Sequence, residues 1–215
     1  MNIFLATKNP NKLREIGSLL AATGYTVLPA EQVGPHPTEV EFLANLRKQA
    51  RLHALNHCGL TVFEKSGLEI PAIGNLPGPW SARFADAVVD PSGWRITGYA
   101  PTVRTRQEMS VANMARVLGL LKDVVQPYRA ASLIAALLVT DESGRIVFET
   151  QARTYGWIAD EPRGTNGFGY DPIFIGQDTA GYTYGELDAV RKNLRSHRSR
   201  AIQEFCAWLG SYARQ

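Results

Sequence analysis

Cysteine is scarce in this sequence, and no long run of apolar residues occurs. The two cysteines, Cys58 and Cys206, are too few and too far apart in sequence for a disulfide framework or a zinc site. A reducing cytoplasm is therefore the expected location. No stretch approaches the ~18 apolar residues that a membrane-spanning helix requires, so we expect no membrane partner. The amino terminus begins directly with a strand-like run and lacks the charged region that opens a signal peptide.

The excess of positive charge is also small. Lysine and arginine total 23 against 20 aspartate and glutamate residues, which gives a formal net charge of +3. This balance suits an anionic small ligand, and the basic residues are not gathered into the long stripe that binds nucleic acid. With 215 residues, 45% of them hydrophobic, the chain is long enough for one large or two small domains with an ordinary apolar core.

The chain opens with a predicted strand, a polar turn and a helix. Ile3–Ala6 is a short apolar run, and the apolar residues between positions 13 and 20 follow helical spacing. Thr7, Asn9 and Lys12 would therefore lie at or near the helix amino terminus, where free N–H groups and the helix dipole favour an anion. The plainer alternative is that Asn9 caps the helix and Lys12 is solvated.

Further strands, helices and loops are predicted along the chain. Ala130–Thr140 is almost wholly apolar and would be a long strand or a buried helix, and the hairpin turn at Asp141–Gly144 favours the strand. Val89–Thr105 is irregular and polar, which predicts an exposed insertion or flap. The other predictions are a strand at Tyr25–Leu28, a helix from about Glu41 to Asn56, strands at Leu60–Phe63 and Leu68–Ile70 separated by a turn at Glu64–Gly67, a helix at Val111–Leu121, and strands at Arg145–Thr150 and Thr154–Ile158.

One stretch, Arg-Gly-Thr-Asn-Gly-Phe-Gly-Tyr-Asp-Pro-Ile-Phe, places three glycines around an aromatic residue. These glycines suit a loop that takes positive φ or approaches a ligand closely, and they would cost a regular element backbone entropy. Phe168 on such a loop could stack on a flat ligand. Asp171 precedes Pro172, which predicts an extended conformation that fixes the carboxylate. The alternative is a structural turn leading into a buried strand from Pro172 to Phe174. The glycines are Gly164, Gly167 and Gly169.

Basic residues gather near the start of the last predicted helix. Lys192, His197 and Arg198 are cationic or can become so, and an apolar helical pattern follows them. Taken alone, this cluster would be interpreted as a solvated basic turn.

Five stretches in this order together resemble the inosine triphosphate pyrophosphatase family, whose members hydrolyse purine nucleoside triphosphates with non-standard bases. The resemblance runs from residue 3 to about residue 210, and its most specific parts are the glycine loop and the Ser-His-Arg turn. The stretches are Leu5–Glu15, Ser66–Leu68, Pro77–Phe84, Gly167–Phe174 and Ser196–Arg198.

The resemblance implies an α/β fold, with an elongated mixed sheet flanked by helices and a central nucleotide cleft, usually in a homodimer. Residues 1–215 would form a single domain with two lobes around that cleft. Members cleave between the α and β phosphates with Mg²⁺ and release a monophosphate and pyrophosphate. By position, the resemblance implies phosphate contacts from Thr7, Asn9, Lys12 and Lys192, and base contacts from Phe168, Asp171, His197 and Arg198. A 6-keto purine would offer acceptors to these cations, whereas the 6-amino group of adenine would not.

The chain departs from the family pattern at the catalytic acids. The family has two acids before Ser-Gly, and the second activates water and engages the metal. Here the pair is Glu64 and Lys65. A lysine with a pKa around 10 stays protonated near neutral pH and is a poor neighbour for Mg²⁺. We therefore expect much reduced pyrophosphatase activity, with Lys65 pairing with a substrate phosphate and Glu64 left as the candidate base and metal ligand.

Three other family positions have also changed. Ala44 stands where the family has a glutamate, and Gln49 stands where it has a phosphate-contacting lysine. The upstream metal-binding glutamate falls on Pro37 here, and Glu39 or Glu41 could replace it only with a shift in register. General-base catalysis typically contributes ~10²–10⁴-fold, so these losses bear directly on activity.

Three functions remain open from the sequence. The first is hydrolysis of ITP, XTP or dITP by a purine nucleotide-binding enzyme. The second is a diverged family member that acts on another nucleotide or phosphorylated substrate, for example in a biosynthetic pathway, and the third is a non-catalytic purine nucleotide-binding protein.

Overall fold

The computed structural model describes residues 2–30, 37–52 and 59–212. Its strands are β1 (Asn2–Ala6), β2 (Thr26–Ala30), β3 (Leu60–Ile70), β4 (Leu76–Pro77), β5 (Ala87–Asp90), β6 (Arg95–Tyr99), β7 (Ala130–Thr140), β8 (Ile146–Ile158) and β9 (Phe174–Gly176). Its α-helices are α1 (Pro10–Leu20), α2 (Phe42–Leu52), α3 (Arg106–Leu120), α4 (Ala189–Asn193) and α5 (His197–Tyr212). The chain divides into a first unit (Met1–Ser66, Ala135–Arg153 and Ser196–Gln215) and a second unit (Gly67–Ile134 and Thr154–Arg195).

The first unit is built on parallel strands. β1 lies between β2 and β3 and pairs in parallel with both, with Leu5 of β1 opposite Val62 of β3. Apolar side chains of these strands share one core with α1 and α5, because the helical spacing of their apolar residues gives each helix a buried face. The predicted strand and helix at the amino terminus are confirmed. Core residues include Ile3, Leu5, Ile16, Leu20, Val62, Phe205 and Leu209.

The second unit has its own apolar core. It includes Met114 and Val117 of α3, a helix that begins at a capping box formed by Thr105 and Glu108. Arg129 is buried next to this core and donates to four backbone carbonyls, which supplies partners for carbonyls at or beyond the ends of α3 and β8. The four carbonyls belong to Leu121, Val124, Ile158 and Ala159.

The larger sheet contains both parallel and antiparallel pairs. Its strands follow the order β2-β1-β3-β7-β8-β9, with β4 antiparallel to β3 and β9 antiparallel to β8. β5 and β6 form a separate antiparallel pair. The predicted mixed α/β fold is therefore confirmed, and β7 is a strand as the sequence indicated.

Two predicted interruptions of strands were wrong. The residues Glu64–Gly67 do not form a turn but belong to one continuous strand, β3. Glu64 and Ser66 lie on the same face of this strand, where Arg198 donates to both, so a tertiary contact stabilises the extended polar segment. The strands predicted at Arg145–Thr150 and Thr154–Ile158 are likewise one strand, β8.

The Val89–Thr105 segment is more regular than the sequence indicated. Its first part forms the hairpin β5–β6, and only residues 100–105 lack regular structure. Asp90 accepts hydrogen bonds from the N–H of Ser92 and from Arg95 across the hairpin turn. Val89 and Ile96 pack against the core of the second unit, which explains why a polar sequence forms paired strands.

The backbone at Asp171 also differs from its prediction. Asp171–Ile173 forms a short 3₁₀ turn, and the following strand, β9, begins at Phe174 and not at Pro172. The bonds that the Asp171 carboxylate accepts, described below, hold this turn. Helix α2 ends at Leu52, and the part of its predicted range from 53 to 56 lies outside the described residues. The predicted loop between Pro29 and Thr38 begins with β2 residues and otherwise falls largely on 31–36, which also lie outside.

Candidate active site

The polar turn after β1 is held by its own side chains. The Thr7 hydroxyl accepts from the N–H of Asn9 at 3.1 Å, and the Asn9 side-chain oxygen accepts from the N–H of Asn11 at 3.0 Å. Asn9 is the N-cap of α1, and Pro10 occupies the first helical turn, where its missing N–H costs nothing. The capping interpretation of Asn9 is confirmed. Because its oxygen serves the cap, its amide nitrogen is the group left to donate to a ligand.

Lys12 reaches from α1 to β3. The pairing of Leu5 with Val62 brings the turn after β1 beside Glu64. The Lys12 Nζ atom lies 2.6 Å from the Glu64 Oε2 atom, and the two side chains are 17% and 0% exposed. Lys12 is therefore one partner of a buried ion pair and is not simply solvated.

Arg198 joins the same group of charges from the first turn of α5. Its Nε donates to Glu64 at 3.1 Å, its Nη1 donates to Glu15 at 2.9 Å, and its Nη2 donates to the Ser66 hydroxyl at 2.7 Å. The guanidinium group is buried, so these bonds replace water that it would otherwise bind. The structure thus assigns Arg198 to an ion cluster, and its contact with a purine base stays a prediction.

The charges around Glu64 determine its protonation. Burial alone would raise the pKa of Glu64, but the positive charges of Lys12 and Arg198, with hydrogen bonds from Lys12 and Ser66, lower it to about 2. A carboxylate with so low a pKa is a weak proton acceptor. Its two oxygens are also engaged by Lys12 and Arg198. These contacts weigh against Glu64 as the catalytic base or as a metal ligand.

Lys65 has a different environment from its neighbour. It lies on the opposite face of β3 from Glu64 by strand alternation, and it is half-buried. Among the described residues, no carboxylate forms an ion pair with it. Burial and the nearby charge of Lys12 lower the pKa of Lys65 to about 8, although the charge of Glu64 opposes this. The expected pKa around 10 was therefore wrong.

The protein groups around Glu64 and Lys65 do not fit Mg²⁺. Magnesium prefers carboxylate oxygens, but position 65 is a lysine and Glu64 already pairs with two cations. Glu39, a possible replacement acid, forms an ion pair with Lys48. Across residues 2–30, 37–52 and 59–212 there is no group of three or more His, Cys, Asp or Glu side chains that could hold a metal. Any Mg²⁺ bound here would therefore depend mainly on ligands from the substrate.

The glycine loop of the second unit is organised by Asp171. Its Oδ2 atom accepts from the Phe168 N–H at 2.7 Å and from the Lys192 ammonium at 2.7 Å. Lys192 also lies 4.9 Å from the centre of the Phe168 ring, within the range of a cation–π contact. Phe168 is partly exposed, whereas Asp171 and Lys192 are buried. The aromatic residue is thus fixed by a buried ion pair.

Glycine is required at position 167 of this loop. Gly167 has φ +74°, and a Cβ atom there would lie 2.0 Å from the Asp171 Oδ2 atom. Any side chain would therefore displace the carboxylate that holds Phe168 and Lys192. The structure explains this glycine by a close approach to Asp171. The base contacts of Phe168 and Asp171 and the phosphate contact of Lys192 stay predictions.

The remaining predicted site residue, His197, lies at the start of α5. His197 is the first residue of α5 and is buried, and the neighbouring Ser196 hydroxyl accepts from the N–H of Ser199 at 3.1 Å.

Sequence reasoning missed Glu15 and Ser66 as partners of Arg198. Glu15 lies one helical turn after Lys12 on α1, and this spacing could have indicated that both face the same charges.

Together these features are those of an α/β enzyme that binds a nucleotide. The family is narrower than that class: residues 3–208 match the Ham1 family, and the chain belongs to it. The dITP/XTP pyrophosphatase of Mycolicibacterium paratuberculosis is 33% identical, over 99% of this chain and 97% of that protein. The dITP/XTP pyrophosphatase of Aquifex aeolicus is 36% identical, over 95% and 94%. The resemblance to the enzymes that hydrolyse non-standard purine nucleoside triphosphates is therefore confirmed.

Solved structures agree with this assignment. A HAM1 protein from Coxiella burnetii matches with a TM-score of 0.77 and 28% identity, over 98% of this chain and 99% of that one. A nucleoside-triphosphatase, or dITP/XTP pyrophosphatase, from Mycobacterium abscessus matches with a TM-score of 0.67 and 31% identity, over 95% and 98%. In the part of the chain that the structure describes, none of the helices has the length and apolar character needed to cross a membrane.

Proposed function

We propose that this chain hydrolyses the non-standard 6-keto purine nucleoside triphosphates ITP, dITP and XTP to the monophosphate and pyrophosphate. The similarity to dITP/XTP pyrophosphatases along nearly the whole chain is the observation that carries this proposal. The retained glycine loop supports it, because Phe168 is held in place by the buried pair of Asp171 and Lys192.

Donor chemistry supports a preference for keto purines. His197 and Arg198 begin α5, and a histidine ring can donate a hydrogen bond to an acceptor. A guanidinium group has five N–H donors, several of which Arg198 already directs to Glu15, Glu64 and Ser66. A 6-keto oxygen accepts such bonds, whereas the 6-amino group of adenine would leave donors facing donors. Unpaired polar groups of this kind can reject a wrong substrate strongly. We therefore expect ATP to be the poorest substrate of those with a complete triphosphate.

Hydrolysis requires a group that accepts the proton of the attacking water. Glu64 is a weak acceptor because Lys12 and Arg198 lower its pKa to about 2. Lys65, with a pKa of about 8, would be neutral in roughly one tenth of the molecules at pH 7. A bound phosphate would raise the pKa of Lys65 and reduce that fraction. We therefore propose that hydrolysis is slow and that Lys65 is its limiting residue.

Lys65 also motivates a second candidate function. If the proton acceptor is too weak, the chain would bind purine nucleotides without turnover, or would act on a different phosphorylated substrate. Binding of ITP with no release of pyrophosphate under any metal condition would favour this candidate. Family membership alone does not separate these possibilities, because it describes the fold and the common ancestry and not the residue at position 65.

The decisive experiment measures the release of pyrophosphate and of phosphate from ITP, XTP, dITP, GTP and ATP, with and without Mg²⁺. We expect slow release of pyrophosphate from the first three. Lys65→Asp should raise the Mg²⁺-dependent kcat/KM by about 10²-fold, within the range that general-base catalysis supplies. Lys122→Asp, which makes the same change of charge at an exposed lysine, is the control and should have no effect.

Each result of this experiment has a clear meaning. Fast Mg²⁺-dependent hydrolysis of ITP by the natural protein would contradict the limiting role of Lys65. Activity only in Lys65→Asp would show that the natural chain binds or acts on something else. No activity in either protein, with ITP still bound, would leave the non-catalytic function as the better account.

Three further properties belong to this proposal. A homodimer is expected from the resemblance, and a cytoplasmic location from the low cysteine content. The partner is a purine nucleotide and not a nucleic acid, since the formal net charge is only +3. Sedimentation of the purified chain tests the dimer.

A further inference from the structure

Two lysines of the first unit lie where β1 and β3 run side by side. Lys12 is on the first turn of α1, and its ammonium group is 2.6 Å from Glu64. Lys65 follows Glu64 directly in β3 and is close enough to Lys12 to experience its charge. Lys12 shares its carboxylate with Arg198, and Lys65 has no ion pair among the described residues.

The charges of this cluster are out of balance. Lys12, Lys65 and Arg198 carry three positive charges, and Glu15 and Glu64 carry two negative charges, which leaves the cluster at +1. Both carboxylates already form ion pairs with Arg198. The excess charge is therefore centred on Lys65, which forms no ion pair within residues 2–30, 37–52 and 59–212.

An unpaired charge that is partly buried is unfavourable, and a bound counter-ion stabilises it. With a carboxylate at position 65, the same cluster would carry −1 and would require a cation. With lysine, it requires an anion. The charge at this one position thus decides whether the site takes a metal ion or a phosphate oxygen.

Other donors at the same place favour phosphate over a carboxylate or halide. The amide nitrogen of Asn9 remains available because the oxygen of that side chain caps α1. At the start of α1, Pro10 has no N–H, Asn11 donates to the Asn9 cap and Leu13 donates to the Asn9 carbonyl, so the N–H of Lys12 is the remaining backbone donor of this turn. Amide N–H donors and an ammonium group suit a polyanion with many oxygen acceptors.

We infer that the Lys65 ammonium group binds the phosphate chain of the substrate as a metal-free anion, in place of a divalent cation. This inference deepens the proposed function and rests on it for the identity of the nucleotide. The phosphate chain itself can be tested without a base, because inorganic pyrophosphate carries the same anionic oxygens.

The test is calorimetric titration of the full chain with inorganic pyrophosphate, in EDTA and again in excess Mg²⁺. The natural protein should bind pyrophosphate in EDTA. It should bind more weakly in excess Mg²⁺, because Mg²⁺ neutralises part of the negative charge of pyrophosphate. Lys65→Met keeps the length of the side chain and removes its charge, and it should weaken binding in EDTA about tenfold to a hundredfold. Lys65→Asp should bind pyrophosphate only when Mg²⁺ is present.

A matched variant separates a local effect from the change in net charge. Lys122→Met removes one positive charge from an exposed side chain of the second unit and should leave the affinity unchanged. Circular dichroism and thermal unfolding of each variant verify that it is folded. The inference is overturned if the natural protein fails to bind pyrophosphate in EDTA, if Mg²⁺ strengthens its binding, or if Lys65→Met binds as well as the natural protein.

These results are distinguishable from failure of the proposed function. If pyrophosphate binds as expected but ITP and XTP release no pyrophosphate, the phosphate site stands and the proposed hydrolysis does not. If ITP is hydrolysed quickly with Mg²⁺ and pyrophosphate binding is insensitive to Lys65→Met, the hydrolysis stands and the metal-free site is rejected.

Discussion

Glu64 is the single residue whose replacement should affect stability most in the first unit. Its side chain is fully buried between Lys12 and Arg198. Glu64→Gln would leave two cations without their shared carboxylate, which typically costs about 3–5 kcal/mol. Urea unfolding measures this loss. The control is Glu149→Gln, which removes a partly exposed ion pair with Arg47 and should destabilise the protein much less.

The low pKa of Glu64 also predicts sensitivity to acid. The pKa is lowered from 4.5 to about 2, despite burial, by the charges of Lys12 and Arg198. Because the pKa is lower in the folded state, the stabilisation is complete above about pH 4.5 and is lost as the pH falls toward 2. The free energy of unfolding, measured from pH 6 to pH 2, should fall by up to about 3 kcal/mol from this group. Glu64→Gln should flatten that part of the curve. An unchanged slope would contradict the assignment.

Gly167 offers a test of the loop that holds Phe168. Gly167→Ala would place a methyl group 2.0 Å from the Asp171 carboxylate, in a backbone with φ +74°. Gly181→Ala is the control, because its φ is +84° but nothing lies within 4 Å of the added atom. Both should lose about 1–2 kcal/mol from the backbone alone. Only Gly167→Ala should also raise the KM for ITP, by roughly tenfold or more. Equal kinetics for the two variants would exclude a role for the Asp171 contact.

Among the elements, the segment 100–105 is held by Asp86, the residue that precedes β5. The buried Asp86 carboxylate accepts from the Thr102 hydroxyl at 2.7 Å and from Arg104 at 2.5 Å. Asp86→Ala should release the segment that leads into α3 and speed amide hydrogen exchange at Thr102 by about tenfold. Asp90→Ala, which affects the nearby hairpin turn, should not change exchange there. Exchange that is unaffected by Asp86→Ala would show that other contacts hold the segment.

The helices and strands also show which parts of the fold local sequence patterns can predict. α1 and β7 could be predicted because apolar spacing and turn residues act locally, whereas the fold class was predicted from the resemblance of short motifs to a known family. β3 was predicted as two strands, since Glu64, Ser66 and Gly67 are typical of a turn. Arg198, distant in sequence, supplies the bonds that make an extended polar segment stable. No local pattern could have indicated that partner.

For the whole molecule, binding of an anion should appear as stabilisation. A ligand that binds only the folded chain adds about 2.7 kcal/mol at a concentration of 100 times its Kd. For a chain of 215 residues, this should raise the Tm by about 5–10 °C. We expect this rise with pyrophosphate in EDTA for the natural protein and a much smaller rise, at the same concentration, for Lys65→Met. Equal shifts would contradict the phosphate site.

The sequence by itself determined the family, the mixed α/β fold and the identity of the candidate site residues, among them Lys65 beside Glu64. Composition, apolar spacing and short motifs are properties of neighbouring residues, and they can be recognised along the chain. Only the tertiary structure decided what those residues do to one another. Glu64 is paired with Lys12 and Arg198, and Lys65 forms no ion pair within the part of the chain that the structure describes. These contacts depend on distances in space, which sequence separation does not reveal.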